Sequence, residues 1–418
     1  MLYKFLRVLV GMTLRLYYRK IYITGLQNVK ADVPQLVTSN HPSGFIEPLV
    51  MACTFPKSLH FLVRGDVFDN PVLKPILIAT HQAPIYRFRD GFSKMRENDK
   101  VIDGTAKILL EDKNLLIFSE GSTESIKKLR PLQKGTPRIL WQTLEKSPQK
   151  RVEILPVGIN FTKSGHFSGD IMLRIGEPIS AQKIYQKANG DQKEFNDVVL
   201  DVTYNAIHKN VIHLAKQDRL PILERLFCVA RGLEDNPVTY PTITFDNTKL
   251  DREKAIAYSL DSLDNIQYEQ LLGQAATAEK ILKTEGFKWT DLSKRPAKMI
   301  DYLLLMVGFP MFFLGILLHG IPFLMGKIAT RKLVEKIEFV DSIHMVSTML
   351  FVFLLYVVLF IMGFFNLFYF GLLAIMAVTL VMSKYYYSFL QVTYFGSKGK
   401  QLDEMKNNIK KMFKSVNV

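Results

Sequence analysis

Apolar positions along this chain fall into three regimes. In residues 1–28, Phe5, Leu9, Met12 and Leu16 recur at i, i+4, i+7 and i+11, with Lys4, Arg7, Arg15, Arg19 and Lys20 around the rest of the turn. This predicts an amphipathic helix, lying on anionic lipid or packed on the domain that follows. Arg7 and Arg15 interrupt the stretch and no small-residue cleavage site follows, so it does not read as a secretory signal. In residues 29–180, short apolar runs alternate with helix-like stretches. Residues 35–39, 59–63, 114–118, 152–159 and 171–175 read as buried strands, and 46–54, 101–111 and 136–145 as helices. That alternation predicts one α/β domain, a mixed sheet flanked by helices. Residues 181–299 are charge-rich, helical in period and broken at Asn236-Pro237 and Tyr240-Pro241, which predicts a helical extension.

The third regime, residues 300–390, predicts a membrane anchor of transmembrane helices. No Asp, Glu, Lys or Arg occurs in 302–326 or in 343–383. The second run would be roughly 60 Å long as helix, twice the thickness of a bilayer core. It predicts a hairpin turning between Gly363 and Asn366. His319-Gly320-Ile321-Pro322 interrupts the first run, leaving a re-entrant segment and a full crossing both open. Basic clusters flank the region on both sides, which favours an even number of crossings. The tail, 391–418, is basic and carries Leu402, Met405, Ile409 and Met412 on one helical face.

Composition narrows the classes. Of 418 residues, 48% are hydrophobic and 11% aromatic, which excludes a disordered chain. Cys53 and Cys228 stand alone, so neither a disulfide framework nor a cysteine metal site is expected, and a reducing compartment fits. Lys+Arg 54 against Asp+Glu 39 leaves +15, which suits nucleic acid or an anionic surface. The charge-free runs decide for the bilayer as partner, with no nucleic acid.

There is no G-x-S-x-G elbow, no phosphate loop, no G-x-G-x-x-G and no H-E-x-x-H. Four clusters at the ends of predicted strands remain. In Asn40-His41-Pro42-Ser43-Gly44-Phe45-Ile46-Glu47, a carboxylate six residues after a His can fix its tautomer and strengthen it as a base. The turn at Ser119-Glu120-Gly121-Ser122-Thr123 can turn backbone N–H groups toward phosphate or an oxyanion. Gln82-Ala83-Pro84-Ile85-Tyr86-Arg87 offers a guanidinium for phosphate. Ile154-Leu155-Pro156-Val157 reads as structural, its Pro shaping a strand edge. Arg64 and Lys134 add positive charge. Taken singly, each is more economically read as a polar loop or a solvated cation.

Together, in this order and spacing, they resemble the four blocks of the glycerophospholipid acyltransferase superfamily: Asn-His-x4-Asp, Pro-Ile-x-Arg, Phe-Pro-Glu-Gly-Thr and a Val-Pro-Val strand. The likeness covers roughly residues 20 to 180. His41 and Glu47, residues 129–135 and 174–179, and the C-terminal hydrophobic segments look most like the membrane-anchored glycerol-3-phosphate/dihydroxyacetone-phosphate acyltransferase branch. Glu47 stands where Asp is usual, Ser119 where Pro is usual, and Thr123 where many members carry Arg. The resemblance implies direct acyl transfer in phospholipid biosynthesis. His41 is then the general base and Glu47 its orienter. Substrate contacts fall to Asn40, Ser43, Arg64, Arg87, Glu120, Gly121, Ser122 and Lys134, with Glu120 either meeting the acceptor's hydroxyls or holding its loop, and backbone N–H groups at Gly121–Ser122 meeting the oxyanion. It implies no metal and no cofactor; acyl-CoA or acyl-carrier protein is the donor, and glycerol 3-phosphate or a lysophospholipid the acceptor. Rival readings are an acyltransferase for another head group, such as a lyso-amino-acid lipid, or an inactive lipid-binding protein. The expected location is a membrane, with the catalytic domain on its cytoplasmic face.

Overall fold

The computed structural model describes residues 2–85, 92–163, 165–232 and 242–416, without the side chains of Arg64, Ile85 and residues 92–100. The chain divides into two units. One comprises Met1–Arg15, Ile21–Ser164 and Ile171–Val211, the other Leu16–Lys20, Gly165–Asp170 and Ile212–Val418.

The first unit is the α/β domain. Its elements in order are α1 (Leu2–Tyr17), β1 (Lys20–Thr24), β2 (Gln35–Ser39), α2 (Ile46–Thr54), β3 (Leu59–Arg64), α3 (Leu73–Ala79), β4 (Gln82–Ile85) and α4 (Phe92–Leu110). There follow β5 (Asn114–Phe118), α5 (Gly135–Lys146), β6 (Glu153–Phe161), β7 (Asp170–Ile175), β8 (Ile179–Ser180), α6 (Ala181–Ala188) and α7 (Gln192–His208). The sheet runs β4-β3-β5-β2-β6-β7-β1, with β8 also on β6. Its first five strands pair in parallel, and β6 pairs antiparallel with β7 and β8. Every residue of β2 is buried, as expected where a parallel sheet is covered on both faces.

One core cluster joins Leu36, Leu115 and Ile154 of adjacent strands to Ile139, Leu140 and Leu144 of α5 and Phe195 and Val199 of α7. Residues of α6 and α7 thus pack into the sheet's own core, although they lie beyond residue 180. Neither β1 nor β4 was apparent from periodicity. β4 is a four-residue edge strand containing Pro84, the position where a strand tolerates a missing N–H. Pro156, read as marking an edge, instead lies inside the sheet opposite Thr38 of β2. It is accommodated because the other neighbour of β6 changes there, from β8 at Glu153 and Ile154 to β7 from Val157 onward.

The second unit is helical: α8 (Leu220–Gly232), α9 (Thr248–Ser262), α10 (Asn265–Glu285), α11 (Met299–Leu333), α12 (Val340–Gly363), α13 (Phe368–Val392) and α14 (Gly399–Met412). Asp264 opens α10 with a capping box and left-handed Gly286 ends it. Three helices, Met299–Leu333, Ile337–Gly363 and Phe368–Val392, are long and apolar enough to cross a membrane. The predicted hairpin turns between α12 and α13. The first hydrophobic run is one continuous helix through Pro310 and Pro322, not a re-entrant loop. Close packing supports it: a Cβ on Gly315 would lie 1.9 Å from Ser383 Oγ, and one on Gly326 2.0 Å from Thr348 Oγ1. Small residues at helix contacts are what association in lipid requires. Among the described residues the candidate spans number three, an odd number, against the even count suggested by flanking charge. Arg331 and Lys332 in the last turn of α11, and Lys336 after it, share that charge bias. In the tail, α14 buries Leu402, Met405 and Ile409.

Candidate active site

Strands β2, β3, β4 and β5 are parallel, so their carboxyl ends share one edge. From β2 the chain passes through α2 to β3 on one side; from β5 it passes through α5 to β6 on the other. The gap between β2 and β5 is therefore the switch point, where open α/β sheets receive ligands. His41 lies two residues beyond β2, and Glu120 two residues beyond β5.

The His41 ring stacks on Phe118, centroids 3.9 Å apart and planes at 8°. Its Nδ1 lies 3.5 Å from Glu47 Oε1, an ion-pair separation, and has no hydrogen-bond partner. A shift of a few tenths of an ångström would close that bond, and free enzymes often hold such pairs loosely. Glu47 is fully buried in the first turn of α2. Its Oε1 accepts the Ser43 N–H, and its Oε2 has no partner. The extra methylene of Glu relative to Asp is taken up as the carboxylate folds back over the residue 42–45 turn.

Glu120 is arranged differently. Oε2 accepts the His41 N–H at 2.9 Å and Arg130 Nη2 at 2.9 Å, while Oε1 accepts the Arg130 N–H at 2.8 Å. Arg130 also donates to the hydroxyl of Ser122 at 2.6 Å and to the Ser122 carbonyl. The Gly121 N–H donates to Phe118 O at 3.1 Å, closing a turn instead of facing outward. Gly121 takes φ +71°, and a Cβ there would lie 2.8 Å from Gln133 Cγ, so the turn requires glycine. Ser119 donates its N–H to Ser39 O at 3.3 Å and its hydroxyl pairs with Thr136 Oγ1 at 2.9 Å. A proline could not make the first of these bonds.

Asn40 pairs with Ile159 through both ends of its amide, each at 2.9 Å, continuing the β2–β6 ladder with a side chain. Lys134 is exposed at the start of α5. Arg64 ends β3, and Arg87 lies outside the described residues. The structure thus brings His41, Glu47, Ser43, Glu120, Gly121 and Ser122 together. Arg130 is the member that sequence reasoning missed. Its guanidinium fills the turn that lacks an Arg at Thr123, reaching it from seven residues downstream. The one available signal was its position in the 129–135 stretch. The chemistry on offer is a ring nitrogen backed by an under-bonded buried carboxylate, next to a rigid, saturated turn.

Three comparisons bear on this geometry. The model of the Acyltransferase family matches residues 20–160. An uncharacterised acyltransferase of Schizosaccharomyces pombe is 23% identical over 112 residues, which is 26% of this chain and 17% of that protein. The crystal structure of a 1-acyl-sn-glycerophosphate acyltransferase from Thermotoga maritima is 16% identical, covering 49% of this chain and 80% of the other, with a TM-score of 0.36. The segment matched by the Acyltransferase family model, residues 20–160, carries every element of the site just described up to Ile159 of β6.

Proposed function

We propose that this protein moves a fatty acyl group from an acyl thioester, acyl-CoA or acyl-carrier protein, to a hydroxyl of glycerol 3-phosphate or a lysophospholipid. The observation that carries the reading is the buried Glu47 carboxylate beside His41 Nδ1 at the switch point. Glu47 holds the ring so that Nε2 takes the proton from the acceptor hydroxyl. The oxygen attacks the thioester carbonyl, the C–S bond breaks, and the imidazolium returns its proton to the leaving thiolate. No covalent acyl-enzyme is required. The Glu120–Arg130 pair holds the loop on which His41 sits. Arg64, Arg87 and Lys134 are assigned to the acceptor phosphate as the cations of the sequence blocks; β3 and β4, the strands before Arg87, end on the same sheet edge. Three apolar helices would keep the enzyme at its lipid product, with the domain on the cytoplasmic face.

The test is purified protein in lipid, one isotope-labelled acyl-CoA and a panel of acceptors, with products read by mass spectrometry. Labelled lysophosphatidate or phosphatidate, absent with the His41→Ala protein, is expected. Transfer only to acceptors without phosphate would replace the assigned acceptor, and no transfer to any acceptor would remove the enzymatic reading. Arg87→Ala should raise KM for a phosphate-bearing acceptor several-fold more than KM for the donor.

A further inference from the structure

Between β3 and β4 the α/β unit carries an apolar helix without an apolar core to face. After a 3-10 turn at Gly65–Asp69 the chain reads Pro71-Val72-Leu73-Lys74-Pro75-Ile76-Leu77-Ile78-Ala79. Asn70 Oδ1 accepts the N–H groups of Val72 and Leu73 at 2.9 and 3.2 Å, so the helix start is well formed. No residue of α3 is buried. Val72 is 70% exposed and Ile78 59%, and Leu73 and Ile76 are exposed as well. At 100° per residue these side chains point around the whole circumference, the distribution of a helix that is enclosed on all sides.

A second apolar surface adjoins it. The outward stripe of α1, Leu2, Phe5, Val8 and Met12, is exposed, while Gly11 and Leu14 face the domain. Residues 2–17 contain Lys4, Arg7 and Arg15 and no acidic residue. The two surfaces are joined through Tyr3 of α1, whose ring stacks at 4.6 Å on His81, two residues past α3. His81 has φ +62°, the turn that carries the chain from α3 into β4.

We propose that α3 is a membrane wedge. Residues 71–79 enter the hydrocarbon edge of an anionic bilayer, and the outward stripe of α1 lies along the same surface. A protein partner would cover one side of so short a helix, whereas acyl chains surround it. Lys74, the one charge in the segment, lies on a long stem that reaches back to head groups. The acid-free, basic α1 matches anionic lipid in charge. The wedge leaves the carboxyl end of β3, on the sheet edge that carries His41 and Glu120, and returns to the amino end of the parallel β4, so it lies alongside the sheet between its two edges. This docking is a property of the α/β unit itself and does not depend on the acyl-transfer reading.

The experiment uses the full chain in phosphatidylcholine–phosphatidylglycerol vesicles, in a Cys53→Ala, Cys228→Ala background. Single cysteines at Ile76→Cys, Val72→Cys, Phe5→Cys and Gln149→Cys carry an environment-sensitive fluorophore. Gln149 is exposed in the loop before β6, at the opposite edge of the sheet. Brominated lipid should quench the probes at 72, 76 and 5 several-fold more than the probe at 149, and aqueous iodide should do the reverse. Probes at 72 and 76 open to iodide like that at 149 overturn the wedge, even if the probe at 5 is quenched by lipid. Shielding of 72 and 76 from both quenchers identifies a protein contact and also overturns it. Every probe site is exposed, so the labels displace no packed side chain.

Discussion

Two buried glutamates sit within one loop cluster and are treated in opposite ways. Glu120 has three N–H donors on its two oxygens, with a guanidinium among them. Glu47, fully buried, has one backbone donor, an imidazole at 3.5 Å and an oxygen with no partner. Burying a carboxylate with unfilled acceptor capacity is costly, and the fold is under no general pressure to retain it. A saturated carboxylate holds its neighbours in place. An unsaturated one, aimed at a base, is free to respond when that base gains a proton. The difference assigns scaffold to one and chemistry to the other, though both follow the sequence pattern of a site.

Substitution can break that contrast, beginning with the largest effect. His41→Ala should lower kcat by roughly four orders of magnitude or more, as removal of a catalytic His does elsewhere. Its unfolding midpoint should stay close to that of the parent, since no hydrogen bond to the ring is lost. Glu47→Gln should reduce kcat by about two orders of magnitude, again with a small change in stability. Near-normal turnover in either folded variant would remove the assigned roles. Glu120→Gln should do the opposite in kind. It leaves Arg130, with its side chain largely buried, with only the exposed Glu124 at 3.4 Å as counter-charge, and should cost about 3 kcal/mol of stability. Arg130→Met in the same background should restore much of that loss by removing the stranded charge. A Glu120→Gln protein as stable as the parent but inactive would reverse the two assignments.

The contrast also marks what a sequence can carry. The strands at 35–39 and 114–118 were legible to the residue because each is a short run with an apolar centre bounded by turn signals. The hydrophobic hairpin was legible because charge is absent over so long a stretch. His41, Glu47 and Glu120 were legible as residue types at known spacing. Arg130 was not, because its role depends on a turn that bends back onto Glu120 and Ser122, a contact without period. Gly121 and Asn40 were legible as members of the cluster but not in what they bond to. Their hydrogen bonds run to the backbone of Phe118 and of Ile159, and the latter is 119 residues away. The continuous α11 overrode a local proline signal through packing with α12 and α13. α3 escaped notice because an apolar run of that length is as easily a buried strand.

The smallest effect tests the same contrast on a second histidine. His60 of β3 stacks on His81 at 4.7 Å, so it faces another imidazole where His41 faces a carboxylate. Burial, then the charge of His81 and of Lys113, push the His60 pKa down to about 4, with Glu111 opposing weakly. His81, stacked in turn on Tyr3, is lowered too, mainly by burial. In the unfolded chain each imidazole titrates near 6.5. Between about pH 7 and pH 4 the unfolded state therefore binds protons that the folded state does not, and stability falls as pH falls. Above that window the stabilisation is complete; below it no further loss is due to this pair. The site is half-buried, so solvent screening limits the effect to about 1 kcal/mol. Trp141 lies in the α/β core, so in a Trp289→Phe background its fluorescence reports unfolding of that unit. Its midpoint should drop between pH 7 and pH 5, and His60→Gln should flatten that slope while leaving the midpoint at pH 7.5 nearly unchanged. An equal slope in the variant would show that His60 takes up its proton alike in the folded and unfolded chain, and that stacking on His81 does not hold it neutral.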